Sequence, residues 1–355
     1  MSSKSHSAVP ALDVASLRKP ARLRRGDRVG VFAPSFPTAA WFPERFERSA
    51  KAIEESLGVE VFVHPQARLA TGFSAGDRAV RSEALVELLN DRSIRAIFAT
   101  IGGFNSAELL PALERVDLTS DCKAVVGYSD CTSLLLGLQA LGSWTTFYGP
   151  TALVQFGEFP NPLEYTLRSM RDVLFEGRTP AVLQDADGWT NEFLDWGGTD
   201  WKTRARTLTP APRQTWRPGK GEGVLFGGNI ETLNFLIGTP YLRVPDDLVL
   251  FWEATEEEAF LPRVARALTH LDQTGVLSRV RAMLIGRSPD CRAVREVTFR
   301  DVVMEATAKY SFPIVADLPF GHTDPMTMLP IGVRTTVDAT TKDPAEIVFV
   351  EAAVS

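Results

Sequence analysis

Residues 123–142 read KAVVGYSDCTSLLLGLQALG, and they decide how the first half of the chain is interpreted. The small and β-branched residues up to Gly127 predict a buried strand, and the apolar spacing after Thr132 predicts a helix. Ser129 lies on the turn that joins them. In a parallel sheet, a side chain on such a turn projects into the cleft at the carboxyl ends of the strands. Ser129 is therefore a candidate nucleophile.

The local sequence leaves two interpretations of Ser129 open. A hydrolase elbow has the pattern G-x-S-x-G, and Cys131 stands here where the second glycine would be. Gly127 removes a side chain that would crowd the turn, and the N–H of Asp130 would point the same way as the serine, as half of an oxyanion hole. The other interpretation is that Ser129 caps the helix that begins near Thr132.

The segments around this turn alternate between short apolar strands and amphipathic helices over residues 28–174. The predicted strands are RVGVFAPS, VEVFVHP, IRAIFATIGG, KAVVGYS and TTFYGP, and the predicted helices cover 43–57, 77–90, a stretch from Ser106 and a stretch from Thr132. Strands that alternate with helices of about 10–15 residues predict βαβ units. We therefore expect an α/β domain with a mostly parallel sheet flanked by helices.

Regular patterning returns at Gly223, after an irregular connection. Predicted strands GVLFGGN, DLVLFWE, RVRAMLIG and PIVADL alternate with three amphipathic helices, and two β-rich stretches, MLPIGVRTTVDA and EIVFVEA, follow them. This pattern predicts a C-terminal mixed α/β domain rich in β-structure.

We divide the chain into four parts. Residues 1–24 are expected to form a flexible N-terminal tail, because they carry Lys and Arg without the apolar segment of a signal peptide. Residues 25–176 form the α/β domain with the nucleophile, 177–222 a Trp-rich connection and substrate loop, and 223–355 the C-terminal domain with the acid and the histidine. The connection holds four of the seven tryptophans, and this aromatic density argues against disorder.

Composition argues against several classes of function. The chain has 355 residues with a formal net charge of -6, which argues against a nucleic acid polymer as partner. No apolar run reaches the roughly 18–20 residues that span a bilayer, so we expect no membrane partner. The three cysteines form no CxxC pair and favour a reducing cytoplasm. Without an HExxH motif, a Cys/His cluster or a phosphate-binding glycine loop, we expect no metal and no cofactor.

A general base for Ser129 must come from one of four histidines. His6 lies in the tail, His64 at a strand end before a proline, and His270 on a regular amphipathic helix. His322 lies in the polar loop PFGHTDP directly after a predicted strand, where site residues are often carried. A turn histidine without a role has the same signature, so both interpretations of His322 stay open here.

The acid that would orient the histidine is best supplied by Glu253, which ends the strand LVLFWE. A carboxylate is poorly suited to such a buried position unless it has a partner. The neighbouring Glu256, Glu257 and Glu258 are typical instead of a solvated first helical turn. The chain order would then be nucleophile, acid, base.

A glycine turn, TIGGFNS, ends the strand before the serine strand, and its Gly-Gly pair lets a backbone N–H approach a ligand closely. Together with VGVFAPS, GYSD, GGN, the strand-ending glutamate and GHTDP, this turn resembles the LD-carboxypeptidase family of serine peptidases over residues 24–350. The resemblance implies a triad and an oxyanion hole made of backbone amides. Its members would be Ser129, Glu253 and His322 for the triad, and Gly103 and Asp130 for the hole.

The family has two branches, the muropeptide LD-carboxypeptidases and the proteins similar to the microcin C self-immunity protein. The segment WTNEFLDWGGTDWKTRARTLTPAPRQTW, with GGFNS and FGEFPNP, resembles the second branch. In that branch a loop tryptophan stacks on a nucleobase, which implies substrate contacts from Trp196 or, as second choice, Trp201. Substrate contacts are also expected from Gly102, Asn105 and Ser106. The alternative is that the tryptophans only pack the two domains together.

The predicted function is that of a cofactor-free serine hydrolase that cleaves an amide bond in a peptidyl- or aminoacyl-nucleotide-like substrate, a detoxification of the microcin C self-immunity type. Muropeptide LD-carboxypeptidase activity in peptidoglycan recycling is the alternative within the enzyme class. A non-catalytic protein that binds a nucleotide-like ligand is the alternative from another class. The Ser/Glu/His set argues against mere binding, because sequestration does not need it. The sequence leaves the oligomeric state open, including a homodimer.

Overall fold

The computed structural model describes residues 9–340 and 344–355. Its strands are β1 (Arg28–Phe32), β2 (Glu60–Val63), β3 (Ile94–Ala99), β4 (Ala124–Gly127), β5 (Thr146–Tyr148), β6 (Ala181–Val182), β7 (Gln214–Arg217), β8 (Lys220–Asn229), β9 (Leu248–Glu253), β10 (Val280–Gly286), β11 (Ile314–Leu318), β12 (Leu329–Ile331), β13 (Arg334–Asp338) and β14 (Glu346–Phe349). Its α-helices are α1 (Thr38–Trp41), α2 (Pro43–Leu57), α3 (Arg78–Asn90), α4 (Thr132–Gly142), α5 (Glu164–Met170), α6 (Ile230–Leu236), α7 (Leu261–Gln273) and α8 (Phe299–Ala306). Within the described ranges, no helix combines the length and the apolar character that crossing a bilayer requires.

The first sheet has the strand order β12-β5-β4-β3-β1-β2. Neighbours among β1 to β5 are parallel, and β12 at the edge runs antiparallel to β5. Helices α2, α3 and α4 pack against this sheet. The prediction of an α/β N-terminal domain with a mostly parallel sheet is confirmed.

The second sheet has the strand order β6-β14-β13-β8-β9-β10-β11-β7. Its centre, β8 to β11, is parallel, and the strands outside the centre pair antiparallel. The predicted mixed α/β domain rich in β-structure is confirmed. The Trp-rich connection supplies β6 and β7 at the two edges of this sheet, and β12 leaves the C-terminal part to join the first sheet. The boundaries predicted from the sequence therefore do not coincide with the sheets, because each sheet includes at least one short strand from another part of the chain.

Single residues explain several element ends. α2 begins and ends where the sequence predicts, and Gly58 stops it with a φ of 68°, in the left-handed region. Asp77 caps α3 by accepting the Val80 N–H at 2.9 Å. The stretch from Ser106 is a 3-10 helix over Ser106–Arg115 rather than an α-helix. Pro111 lies inside it, and a proline has no N–H for the ladder of an α-helix.

Residues 9–24 pack against both halves of the chain, unlike the flexible tail that the sequence predicts for 1–24. The N–H of Leu12 donates to the carbonyl of Val244 at 3.0 Å, in the C-terminal half. The Arg18 guanidinium donates to backbone carbonyls of the N-terminal half. In residues 9–24 the apolar residues are few, and basic residues separate them. The segment therefore has no periodic pattern from which this packing could be predicted. The preceding residues lie outside the described part of the chain.

Candidate active site

Three side chains from the carboxyl ends of strands in both sheets form one hydrogen-bonded chain. Ser129 follows β4, Glu253 ends β9, and His322 lies in the loop after β11. The His322 Nε2 atom lies 3.1 Å from Ser129 Oγ, and the His322 Nδ1 atom lies 2.9 Å from Glu253 Oε2. A proton on Nδ1 satisfies the carboxylate and leaves Nε2 able to accept the serine proton. This arrangement can supply a nucleophile, a general base and an orienting acid.

The turn that carries Ser129 is tight. Ser129 has a φ of 60°, a left-handed conformation that is uncommon for residues other than glycine, and it opens a 3-10 turn over Ser129–Cys131. A Cβ at Gly127 would lie 2.8 Å from Cys131 Cβ, which explains the glycine before the turn. No side-chain hydrogen bond caps the start of α4. The serine hydroxyl therefore contacts His322 instead of capping the helix.

Glu253 is fully buried, and both of its carboxylate oxygens have partners. Oε2 contacts His322, while Oε1 accepts from the Tyr148 hydroxyl at 2.7 Å and from Asn229 Nδ2 at 3.3 Å. Asn229 is its register partner on β8. Burial would raise the pKa of Glu253, but the charge on His322 and these hydrogen bonds outweigh burial and lower that pKa. Glu253 therefore stays ionised beside the imidazole.

His322 borders the cleft with 24% of its side chain exposed. Its ring packs edge-on against Tyr128, with 5.0 Å between the ring centroids. Burial opposes a charged imidazole, yet Glu253, followed by Glu258 and Glu256, raises the pKa of His322 above its usual value. These carboxylates therefore favour the imidazolium form of His322.

The glycine turn after β3 lies against the nucleophile. A Cβ at Gly102 would stand 3.1 Å from Ser129 Cβ and 3.3 Å from the Asp130 nitrogen, so a side chain there would crowd the nucleophile. Gly103 has a φ of 146°, and a Cβ on it would clash with Ser35. The Ser35 hydroxyl oxygen also accepts a backbone N–H of the turn at 3.0 Å. The turn is thus held where its backbone and that of Asp130 border the nucleophile.

The polar side chains of the glycine turn lie behind it. Asn105 Oδ1 accepts from the Ser35 hydroxyl at 2.5 Å, and its Nδ2 donates to Ser74 Oγ at 2.7 Å. Ser106 is fully buried, and its N–H donates to the Asp130 carboxylate at 2.9 Å. Burial raises the pKa of Asp130. In this structure Asn105 and Ser106, both expected at the substrate, hold the turn in place.

Two cavities adjoin at His322, which lines both of them. The first has a volume of about 130 Å³ and lies under the Trp-rich connection. A charge network lines it: Arg206 contacts both Glu158 and Asp324, at 2.8 Å in the second case. Gln155 Nε2 also donates to Asp324, at 3.1 Å. The charge of Arg206 is therefore already balanced within the protein.

Trp196 and Trp201, the two tryptophans expected at the substrate, both line this first cavity. The Arg45 guanidinium lies 4.4 Å from the centroid of the Trp196 ring, and Phe42 packs edge-on against that ring at 5.6 Å. Trp196 is partly buried, whereas Trp201 is only 3% exposed. Trp196 therefore offers more ring surface to a ligand than Trp201.

The other two tryptophans of the connection pack on the C-terminal domain. Trp216 lies edge-on to Phe299 with 5.4 Å between centroids, and the Arg287 guanidinium lies 4.9 Å from the Trp189 ring. Of the four tryptophans, only Trp196 and Trp201 therefore line the cavity that His322 borders.

The second cavity has a volume of about 120 Å³ and contains Ser129. Phe36 and Phe104 form an aromatic wall, and Glu256 and Glu258 supply carboxylates. No lysine or arginine is among the described residues that line it. Burial, with smaller effects of nearby carboxylates, raises the pKa of Glu258 to about 7. Glu258 is partly buried in the cleft, whereas the sequence predicts a solvated side chain. Glu256 and Glu257 are exposed, as predicted.

The other described histidines lie away from this chain of contacts. His64 Nε2 lies 2.9 Å from Glu87 Oε2, and His270 Nδ1 lies 2.9 Å from Asn234 Oδ1. His6 falls outside the described residues. Among residues 9–340 and 344–355, no group of three or more His, Cys, Asp or Glu is arranged to hold a metal ion.

Sequence reasoning missed two residues that shape the site. The Tyr148 hydroxyl contacts both Glu253 and the Ser129 N–H. Its position at the end of TTFYGP, beside the serine strand, was the available signal, but a strand tyrosine is more often a core residue. Arg45 on α2 is only 4% exposed and covers Trp196, although a helical arginine is usually solvated. No local pattern indicates that role.

Comparison with known proteins gives the family. The LD-carboxypeptidase N-terminal domain matches residues 29–149, and the LD-carboxypeptidase C-terminal domain matches residues 222–337. A protein of Vibrio cholerae serotype O1 that carries a carboxypeptidase name is 33% identical over 318 residues, which cover 88% of this chain and 92% of that protein. The chain belongs to the LD-carboxypeptidase family, and it is a serine carboxypeptidase-like hydrolase.

Two further relatives represent the two branches. The microcin C7 self-immunity protein MccF of Escherichia coli is 27% identical over 327 residues, covering 91% of this chain and 94% of MccF. The structure of MccF in complex with glutamyl sulfamoyl guanosine has a TM-score of 0.85 at 26% identity, covering 95% of this chain and 99% of that one. A Bacillus subtilis (strain 168) protein named for murein peptide carboxypeptidase activity is 26% identical over 328 residues, covering 91% of this chain and 92% of that protein. The likeness to MccF in sequence and structure puts the chain in the MccF-like branch.

Proposed function

We propose that this protein hydrolyses an amide bond in a peptidyl- or aminoacyl-nucleotide-like substrate, as a detoxifying enzyme of the microcin self-immunity type. The observation that carries the proposal is the hydrogen-bonded chain from Ser129 through His322 to Glu253, at the junction of two cavities. One cavity is rich in tryptophan and the other contains the nucleophile. A small substrate with a ring at one end and an acyl group at the other fits this division.

Ser129 attacks the carbonyl carbon while His322 Nε2 takes the hydroxyl proton. Glu253 keeps the imidazole oriented and stabilises its positive charge. The N–H groups of Gly103 and Asp130 bind the oxyanion of the tetrahedral intermediate. His322 then gives the proton to the leaving nitrogen, the C–N bond breaks, and the acyl group stays on the serine. A water molecule that gives its proton to His322 attacks this ester and releases the acid.

The leaving group occupies the cavity with Trp196, and the acyl group occupies the cavity with Ser129. His322 borders both cavities, so its Nε2 atom can serve the serine and the leaving nitrogen in turn. A mutant of MccF has been solved with adenosine monophosphate, and MccF with glutamyl sulfamoyl guanosine, which supports a nucleoside-like leaving group here. Because Arg45 covers one face of Trp196, a base stacks on the remaining ring surface, with Trp201 as a neighbouring wall. Such stacking contributes about 1–3 kcal/mol per base.

Cysteine chemistry bears on the compartment in which this activity takes place. Cys122, Cys131 and Cys291 are all free thiols. Unpaired thiols are typical of reducing compartments, so we assign the activity to the cytoplasm as part of the proposal.

The direct test offers the protein an aminoacyl sulfamoyl adenosine and, separately, a muropeptide tetrapeptide, and identifies the products by mass. We expect the free amino acid and sulfamoyl adenosine from the first substrate. The Ser129→Ala variant should bind this substrate but turn it over about a millionfold more slowly. This loss would show that the products do not come from a contaminating hydrolase. Cleavage of the tetrapeptide alone would assign the chain to muropeptide recycling. Binding without cleavage of either substrate would favour sequestration.

A further inference from the structure

Tyr148 ends β5, the strand beside the one that carries the nucleophile, and its side chain is fully buried. Tyr148 and Gly127 are register partners on β5 and β4. The Tyr148 hydroxyl donates to Glu253 Oε1 at 2.7 Å and accepts the Ser129 N–H at 3.2 Å. One hydroxyl therefore joins the backbone of the nucleophile to the acid, across the two sheets.

The Tyr148 hydroxyl is both a hydrogen-bond donor and a hydrogen-bond acceptor. A phenol has one proton to donate, and an ionised carboxylate can only accept, so the Ser129 N–H meets an oxygen lone pair. The ring is held edge-on by Phe251, at 5.3 Å between centroids, and by Tyr128, at 6.3 Å. Burial, and then the charge on Glu253, keeps the pKa of Tyr148 well above its usual value. The hydroxyl therefore remains a donor at neutral pH.

We infer that Tyr148 is a positioning residue that holds Ser129 in its left-handed conformation and orients Glu253 toward His322. For turnover, the inference rests on the proposed function. Without the hydroxyl, the Ser129 N–H loses its partner, and Glu253 Oε1 keeps only the longer contact with Asn229. The distance between serine and imidazole can then vary, and rates fall steeply when reacting groups are misplaced.

The hydroxyl also changes the charge that acts on His322. Its hydrogen bond lowers the pKa of Glu253, because it disperses the charge of the carboxylate. The carboxylates of Glu253, Glu258 and Glu256 act on His322, and the Tyr128 ring and the Ser129 hydroxyl contact it. The charged groups that share the first cavity with His322 are Arg45, Glu158, Arg206 and Asp324. In a Tyr148→Phe variant, the Glu253 carboxylate loses this hydrogen bond and keeps more of its negative charge on the oxygen atoms. It therefore interacts more strongly with the positive charge of the imidazolium. The pKa of His322 should therefore rise.

The experiment compares Tyr148→Phe with the wild type and with Tyr165→Phe. Tyr165 is a matched control, because its hydroxyl donates to the Gln184 carbonyl at 2.6 Å and lines neither cavity at His322. Two measurements are made: steady-state kinetics across pH, which gives kcat and KM on an aminoacyl sulfamoyl adenosine, and an NMR titration, which gives the imidazole pKa of His322 in the free protein. For Tyr148→Phe we expect kcat to fall about 10-fold to 100-fold with little change in KM. The acid limb of kcat/KM and the imidazole pKa should both move to higher pH, and Tyr165→Phe should change neither.

A wild-type kcat together with an unchanged imidazole pKa in Tyr148→Phe would overturn the inference. A lower kcat with a lower melting temperature but no pKa change would also overturn it, since that is the result of a purely structural role. Replacing Tyr148 with 3-fluorotyrosine keeps the hydroxyl and makes it a stronger donor, so the pKa of His322 should fall; this arm also serves if Tyr148→Phe does not fold. Should the wild type cleave no substrate, the proposed function fails, while the NMR titration still decides the role of Tyr148.

Discussion

The His322 Nε2 atom lies 3.1 Å from Ser129 Oγ, although 193 positions separate the two residues. Ser129 follows β4 of the first sheet, and His322 follows β11 of the second. The contact therefore exists only when the two sheets pack against each other. Turnover in this protein should depend on that packing as well as on the chemistry of the side chains.

His322→Ala should lower kcat by about a millionfold, because the serine loses its general base. Glu253→Gln should cost less, about ten-thousandfold, because an amide still occupies the site but does not stabilise the imidazolium. His270→Ala and Glu257→Gln are controls that should stay close to wild type. Steady-state kinetics on one aminoacyl sulfamoyl adenosine measures all four. An essential His270 with a dispensable His322 would mean that the triad is assigned wrongly.

Trp196→Ala should lower kcat/KM for nucleotide-bearing substrates by about 5-fold to 150-fold, because the contact with the ring of the leaving group is lost. Rates on a small amide without a ring should change little. Trp216→Ala is the contrasting variant, since Trp216 packs on Phe299 away from the cavity. It should lower the free energy of unfolding by about 3–5 kcal/mol and affect both substrates alike. Equal losses on both substrates in Trp196→Ala, with a lowered melting temperature, would count against base stacking.

Glu258→Gln should shift the acid limb of kcat/KM to lower pH. Catalysis needs a neutral His322, and the charge on Glu258 helps to raise the pKa of that imidazole. Without this charge the pKa of His322 falls, so the neutral form persists to lower pH. The amide can still accept the hydrogen bond that Asn229 donates to Glu258. A pH profile measures the shift, and an acid limb that stays in place or moves upward would contradict the electrostatic argument.

Acyl groups that carry a negative charge should be poor substrates. The cavity that contains Ser129 is lined by Glu256 and Glu258, and no described lysine or arginine lines it. A charge about 6 Å from a carboxylate interacts by about 0.7–3 kcal/mol, so a neutral asparaginyl substrate should exceed an aspartyl one about 3-fold to 100-fold in kcat/KM. Glu256→Gln should narrow this ratio, whereas Glu257→Gln, with a side chain that is 91% exposed, should not. A ratio that favours the aspartyl substrate would refute the expectation.

Local patterns predict the elements of this fold well where burial is periodic. The bounds of α2 and the strand, turn and helix around Ser129 follow from spacing, glycine and proline alone. Contacts between distant elements do not follow in this way. The strand β12 pairs with β5, which lies far away in the sequence, and a segment of three residues is too short for its pattern to predict the partner strand. Leu12 likewise finds its partner only in the folded protein.

The same limit applies to the site. Ser129, Glu253 and His322 could be singled out because each is a reactive or charged residue at the end of an apolar strand. Tyr148 could not, because a tyrosine in a buried strand has the same local pattern whether its hydroxyl meets a carboxylate or another group. Arg45 was missed because a charged residue on a helix predicts an exposed side chain, whereas the Arg45 side chain is buried against Trp196.

The position of β12 has a consequence for how the chain is synthesised. β12 seals the edge of the sheet that holds the nucleophile, yet it leaves the ribosome long after β5, its partner in that sheet. Until then the outer edge of β5 is an open strand, which is prone to pair with other chains. The segment that closes this edge follows His322 by only a few residues. Under the proposed mechanism, a nascent chain therefore receives its general base and the last strand of its first sheet almost together, so a chain that ends before them carries no working hydrolase.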